Sequence, residues 1–463
     1  MAVPARRPPP SLRTTVPVGA LTSGTAPARG PNWPEAAWWH RYNDTVLDKL
    51  MSQALDSAPG LAGAQARIAA AQAQVRTAAA LAGARVDASA SAARQRLSDN
   101  GLFPPQFLGF HWYDESDLGL SASYTFDWWG KQRGEVEAAL DQAHAAQAEQ
   151  AAADLALAAA VAQTYFGWQS DQARLALADA YLDTVQQRRA VTQARLTAAI
   201  AREDELDQVD MELATAREAQ SALQSSAQLR VVALAALLGV APTELPAMTP
   251  HPLPEVDTQL PQNVGLDLIA RRPDIAAAQA RVDAASHGLE AARAGFLPDL
   301  SLKALLGLSS ISLPRLLEIG SADPQVGAAL HLPLFDAGAL RGSYEAADAQ
   351  LAAAIAAYDD ALVSAAREVG TQALTLNDLA TRRAQRTAQV QLTATLRERT
   401  ALRAQQGLTD ARPQLQAAAQ WLSARDNLLQ LDAAAVNADV GLIQALGGGY
   451  GAATAADTTR NGP

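Results

Sequence analysis

At 463 residues the chain is long enough for two or three ordinary domains or one very elongated one. Hydrophobic residues make up 49% and aromatics only 5%, so alanine carries much of the apolar fraction and thin helical layers are favoured over a thick core. A formal net charge of −11 argues against nucleic-acid binding, and the absence of cysteine excludes disulfides, thiolate metal sites and cysteine nucleophiles.

Residues 1–37 read as an extended, proline-rich segment without the apolar stretch of a secretory signal, as in a cytosolic chain or one whose leader has been trimmed. No unbroken apolar run approaches the roughly 18 residues of a spanning helix, so any membrane crossing falls to strands in a closed barrel. Near 84–94 the pattern period becomes two, with Val86, Ala88, Ala90 and Ala92 against Asp87, Ser89 and Ser91. A second alternating run at 117–127 sets Leu118, Leu120, Ala122, Tyr124 and Phe126 against Gly119, Ser121, Ser123 and Thr125. Aromatics gather at its ends, Trp112 and Tyr113 before it and Trp128 and Trp129 after it, where the belts of a bilayer interface would lie.

A long helical hairpin is predicted over about 130–240, since residues 106–241 contain no proline. Val161, Trp168, Leu175, Leu182 and Leu196 form a heptad ladder with Arg189 as its polar rung, the signature of a coiled coil. The polar break TAAIAREDELD at 197–207 places its turn, and a proline-rich linker follows at 242–263. Two further strands are predicted at about 298–308 and 325–335. Leu300 and Leu302 share the apolar face of the first, and Leu330 and Leu332 that of the second. A second hairpin at 338–446, turning at QQGLTDARP (405–413), leads into a flexible tail at 450–463.

These elements occur twice. AQARI at 64–68 returns as AQARV at 278–282, and FDWWGKQRG at 126–134 as FDAGALRG at 335–342. Beyond that point an offset of 208 persists, with Val161 falling on Val369 and Arg189 on Arg397. The chain therefore divides into repeats at 38–241 and 264–449. Four strands with an apolar and a small or polar face fit a transmembrane barrel, but small barrels need about eight strands. Each chain is expected to supply a third or a half of the wall.

WWHRYND at 38–44, VGLDLIARRPDIAAAQARV at 264–282, AGFLPDLSL at 294–302, PLFDAG at 333–338 and ALGGGY at 445–450 together resemble the outer-membrane factor family of TolC and NodT type. The resemblance covers nearly the whole chain from about residue 33. It implies a membrane α+β fold: a homotrimer with a twelve-stranded outer-membrane barrel continued by a coiled-coil helical barrel in the periplasm. It implies a passive efflux channel for drugs or other small toxic compounds, with a periplasmic adaptor and an inner-membrane pump of the resistance-nodulation-division type as partners. The lipoprotein leader and acylated cysteine that NodT-type members carry are not in this sequence.

In that family carboxylates beside the helical turns close the periplasmic tip. Asp207 and Asp210 match the position, whereas in the second repeat Gln414, Leu415 and Gln416 depart from it and leave Asp410 as the nearest acid. Arg403 and Arg412 are placed to bridge the tips. The competing reading of the acidic run is a solvated first turn stabilised by the helix dipole. No cofactor or metal is implied, because the six histidines are scattered and no phosphate loop or nucleophile elbow is present. Two alternatives to the efflux channel stand: a channel for type I protein secretion, and a soluble periplasmic coiled-coil scaffold.

Overall fold

The computed structural model describes residues 3–8, 10–13, 33–100, 104–256 and 270–451. Most of the proline-rich N-terminal segment, the second part of the linker and nearly all of the C-terminal tail lie outside the described residues. The described fold is mostly helical and carries one sheet. In chain order come α1 (Thr45–Ser57), α2 (Pro59–Leu81), β1 (Arg85–Arg96), β2 (Trp112–Phe126), α3 (Lys131–Thr197), α4 (Glu203–Leu238), α5 (Pro273–Ala294), β3 (Asp299–Ser310), β4 (Ala322–His331), α6 (Ala339–Gln405) and α7 (Ala411–Ala445).

The chain packs as two compact units, and each draws on both halves of the sequence. The first comprises Met1–Leu12, Arg67–Gln147 and Ala277–Tyr358 and contains the sheet. Its strands are all antiparallel in the order β1-β2-β3-β4. Beside the sheet, His287 on α5 is held between Asp141 (2.9 Å) and Glu137 (3.2 Å) on α3. Residues near the N-terminus are tied to α5 and α6 in the same unit. Arg6 meets Glu290 at 3.2 Å, and Arg7 pairs with Asp348.

The second unit comprises Arg13–Ala66, Ala148–Ala276 and Asp359–Pro463. Asp44 starts α1 by accepting the Val46 and Leu47 amides at 2.9 and 3.1 Å, so Leu47, Leu50, Met51 and Ala54 fall on one buried face. That face packs with Tyr165 and Phe166 of α3, Leu234 and Leu238 of α4, and Val436, Val440 and Ile443 of α7. Gly239 ends α4 at φ +71°, where a Cβ would run into the Pro59 ring. Left-handed backbone and tight approach together require glycine there.

One expectation is corrected. By length and composition, α4 contains an 18-residue window apolar enough to cross a membrane. Counting unbroken apolar runs misses it, because polar residues interrupt the alanines and leucines. Leu234, Ala235 and Leu238 are buried in the protein core, but only 22% of the window is buried, and Leu229 and Val232 on the same helix are exposed.

Candidate functional site

Two places collect the candidate residues: the sheet in the first unit and the helical turns in the second. The sheet register sorts the strand residues onto two faces. Leu120 pairs with Ala88 and Leu306, Tyr124 with Leu302, and Phe126 with Leu300, which in turn pairs with Leu330. Leu118 joins the same face opposite Ala90 and Leu308. The other face carries Asp87 against Ser121, Ser89 against Gly119, and Ser123 against Lys303. Leu305 is an apolar intruder on it, opposite Ser121 and Gln325.

In a soluble sheet the apolar face is the hidden one. Here the order is reversed. Along β2 the apolar positions Leu118, Leu120, Tyr124 and Phe126 are exposed, while the intervening small and polar residues are half-buried. Leu120 is 49% exposed and Leu330 68%, as no layer among the described residues covers this face. Every residue of β1 and β4 is exposed, and on its outer side neither strand has a partner among the described residues. Unpaired edges and a bare apolar face are both costly in water, so each demands an occupant outside the chain.

The aromatics differ in place from their expected flanking positions. Trp112 and Tyr113 lie inside β2, which begins five residues before the apolar alternation starts. The early segment meets β1 with polar residues, Asp114 opposite Arg94 and Glu115 accepting from Gln95 at 2.8 Å, so hydrophobic alternation alone cannot find it. Trp112 sits beneath Arg94, whose guanidinium lies 6.0 Å from the ring, and the Tyr113 hydroxyl donates to Gln95. Trp128 and Trp129 occupy the turn after β2, both exposed, and Trp129 donates its indole N–H to the Pro298 carbonyl at 2.7 Å. Leu332 is outside β4, which ends at His331 because Pro333 cannot donate to a ladder.

At the helical turns the five charged candidates are in different situations. Asp210 is half-buried and held by Arg189, Nε–Oδ1 2.5 Å and a second bond of 3.3 Å. Asp410 caps α7 by accepting the Arg412 amide at 3.1 Å. It also takes Arg412 Nε at 2.9 Å and Arg195 at 3.1 Å. Arg412 followed by Arg195 holds its carboxyl below the usual carboxylate range. Asp207 and Arg403 are exposed and make no side-chain bond among the described residues. The bridge between the turns is therefore Arg195 to Asp410; Arg412 supports it, and Arg403 takes no part. Sequence reasoning missed Arg195, since nothing local links residues 215 positions apart.

A buried carboxylate, Asp171 on α3, was missed as well. It holds Arg230 at 2.6 Å and Ser226 at 2.7 Å on α4. Glu212 on α4 binds Arg188 at 2.7 Å and accepts from the Tyr181 hydroxyl at 2.8 Å. Burial and that carboxylate push the Tyr181 hydroxyl up to about 12. His251 lies 2.7 Å from Asp44 and 3.0 Å from the Tyr165 hydroxyl, which gives it a structural setting. Nothing in these arrangements pairs a nucleophile with a base at an open cleft; they are ties between helices.

The family described as "Outer membrane efflux protein" matches residues 50–240 and 266–448. The multidrug resistance outer membrane protein MdtP of Escherichia coli K12 is 32% identical over 428 residues, covering 90% of this chain and 87% of that protein. The multidrug resistance outer membrane protein MdtQ of Escherichia coli O157:H7 is 31% identical, covering 95% and 93%. Among solved structures, the outer membrane protein VceC of Vibrio cholerae superposes with a TM-score of 0.81 at 31% identity, over 90% of this chain and all of that one. The outer-membrane channel OprN gives a TM-score of 0.86 at 25% identity, over 97% and 99%.

Proposed function

The chain belongs to the outer membrane efflux protein family, and from that premise we propose that it is one protomer of a homotrimeric duct through the outer membrane. It is an outer-membrane transport protein and not an enzyme. The observation that carries the trimer is the sheet: four strands, two free edges and an apolar face turned outward. In hydrocarbon every edge must be closed, and a twelve-stranded barrel built from three chains meets that demand while leaving a lumen. The Leu120–Leu330 face then meets lipid, and the face carrying Ser121, Ser123 and Lys303 lines the passage.

In this reading 38–241 and 264–449 are two structural repeats joined by the 242–263 linker, and their hairpins reach into the periplasm. Asp207, Asp210, Asp410, Arg403 and Arg412 surround the tip, where a periplasmic adaptor and an inner-membrane pump engage. The names of MdtP and MdtQ support small toxic compounds as cargo.

The test is fractionation followed by native mass spectrometry. The chain should enter the outer-membrane fraction, require detergent for release, and fly as three copies. A monomer that stays in the aqueous fraction would return the reading to a periplasmic scaffold. Leu120→Arg or Leu330→Arg should cost roughly 2–4 kcal/mol of barrel stability near the bilayer midplane. Wild-type insertion of both variants would show that this face does not meet lipid. Deletion should sensitise cells to small toxic compounds, and retention of a secreted polypeptide instead would favour type I secretion.

A further inference from the structure

The register that sorts the strand residues onto two faces also lines up their charges. On the face carrying Ser121 and Ser123, Arg85 stands opposite Ser123, Ser123 opposite Lys303, and Lys303 opposite Gly327. One row across all four strands therefore holds two cations, with a small residue between them and another at the edge. They are the only arginine and lysine on this face of the four strands. The row lies toward the end of the sheet where β1 leaves α2, β2 leads to α3 and β3 leaves α5.

The two cations are in a different state from the acids nearer the other end of the same face. Asp117 accepts from Ser91 at 3.0 Å, Glu115 from Gln95 at 2.8 Å and Asp323 from Gln325 at 3.1 Å. Arg85 and Lys303 are exposed and have no side-chain hydrogen bond or ion pair among the described residues. Adjacent strands are about 4.8 Å apart, so the two backbones stand about 10 Å apart and both long side chains can converge over Ser123. The nearest acid on the face is Asp87, two residues beyond Arg85 and about 7 Å along β1. Two cations against one carboxylate leave a surplus of one positive charge.

One row further along, Leu305 is the one aliphatic residue larger than alanine on this face. Its methyl groups lie over two glycines, 3.2 Å from where a Cβ of Gly119 would stand and 3.7 Å from that of Gly307. A concavity of about 530 Å³ runs over Ser121, Ser123, Lys303, Leu305, Gln325 and Gly327.

We propose that this row is a binding site for a small organic anion, its carboxylate held by Arg85 and Lys303 over Ser123 and its apolar body resting on Leu305. Arginine offers a carboxylate two parallel N–H donors, and lysine adds a mobile point charge. A surplus of one charge suits a monocarboxylate, and the apolar neighbour suits one with a hydrocarbon or aromatic body. The inference rests on the reading of this face as the lining of the passage, and it names a class of cargo for that passage. Three chains would set three Arg85 and three Lys303 at one level, a basic collar in a lining whose other fixed charges are acids.

The probe for the test is para-fluorobenzoate, followed by its fluorine NMR line width against the full chain in detergent at low ionic strength, where screening is weak. Wild-type protein should broaden the line saturably. The Arg85→Gln/Lys303→Gln variant should bind about tenfold more weakly, with three copies still present by native mass spectrometry. Undiminished binding by an assembled double variant would overturn the site, and so would equal affinity for para-fluorobenzylamine. Acetate should displace the probe far less well than benzoate does; equal displacement would overturn the contact with Leu305. Should the double variant not assemble, Ser123→Glu sets a carboxylate between the two cations and should abolish binding, and binding that survives there rejects the site. Wild-type trimers that bind no fluorobenzoate would overturn the collar and leave the trimer standing. Wild-type monomers that bind it through Arg85 and Lys303 would do the reverse.

Discussion

The α3–α4 and α6–α7 hairpins are built to nearly the same lengths, 67 and 36 residues against 67 and 35, yet they are held together differently. In the first, Asp171 is buried and holds Arg230 and Ser226 across to α4. At the sequence offset of 208 the second hairpin has Leu379 and Ala438, both buried. One site thus uses a charged tie where the corresponding site uses apolar contact. The α6–α7 hairpin is tied instead by the more exposed Arg383–Asp432 pair and by Trp421 between Arg397 and Arg425. The comparison teaches that the buried pair is one of two workable solutions and is costly chiefly when half of it is removed.

The largest expected effect follows from that asymmetry. Asp171→Ala strips the partner from Arg230 and Ser226 and should cost about 2–3 kcal/mol, reduced from the fully buried limit because Arg230 can turn toward water. The Asp171→Leu/Arg230→Ala double variant, which copies the second hairpin, should recover most of this. Asp432→Ala should cost only about 0.5–1 kcal/mol, since Arg383 is half exposed. Denaturant midpoints of the purified protein in detergent rank the three. A double variant no better than Asp171→Ala would mean that the second hairpin's apolar solution does not transfer.

An intermediate effect is expected at the turns. Ala199 and Gly407, again 208 apart, are both left-handed, at φ +57° and +71°. An L residue in that region costs about 1–2 kcal/mol, whereas glycine gives up about 0.5–1 kcal/mol of chain entropy. Ala199→Gly should therefore stabilise slightly, by about 0.5 kcal/mol, and Gly407→Ala should destabilise by about 1 kcal/mol. Thermal midpoints moving in the same direction would show that the two turns do not share one backbone solution.

The alternation of β2 and β3 was legible because a period of two needs only local residues. The first five residues of β2 were not: Trp112 to Ser116 pair with Arg96 to Ala92 of β1, and no hydrophobic alternation marks them. The long helices and their turns were readable from missing prolines and polar breaks. The charges at those turns were not, because their partners sit on other helices. Asp210 stood out as an acid near a turn, but the Arg189 that takes it lies across that turn on α3. Asp410 was marked by its position, yet its tie to Arg195 exists only once two hairpins are side by side. Sequence shows which residues are charged at a tip, and tertiary packing decides which of them remain free.

The smallest expected effect concerns how the two return helices begin. Asp410 caps α7, whereas Arg202, at the corresponding position, makes no side-chain cap and α4 relies on Glu203, Asp204 and Glu205 in its first turn. Asparagine at 410 keeps the cap geometry but loses the attraction of Arg412 and Arg195. The pair is solvent-exposed, so the cost at neutral pH should be about 0.2–1 kcal/mol. The folded protein holds the Asp410 carboxyl below its ordinary value, so it binds a proton less readily than the unfolded chain does. Its contribution is therefore fully present above the ordinary carboxylate value of about 3.9 and is lost as pH falls through the lowered one. Thermal midpoints of wild type and Asp410→Asn should differ by a small constant amount at neutral pH and converge in acid. A gap that persists undiminished well below pH 3.9 would mean that the difference does not arise from the Asp410 charge and that its attraction to the two arginines contributes nothing.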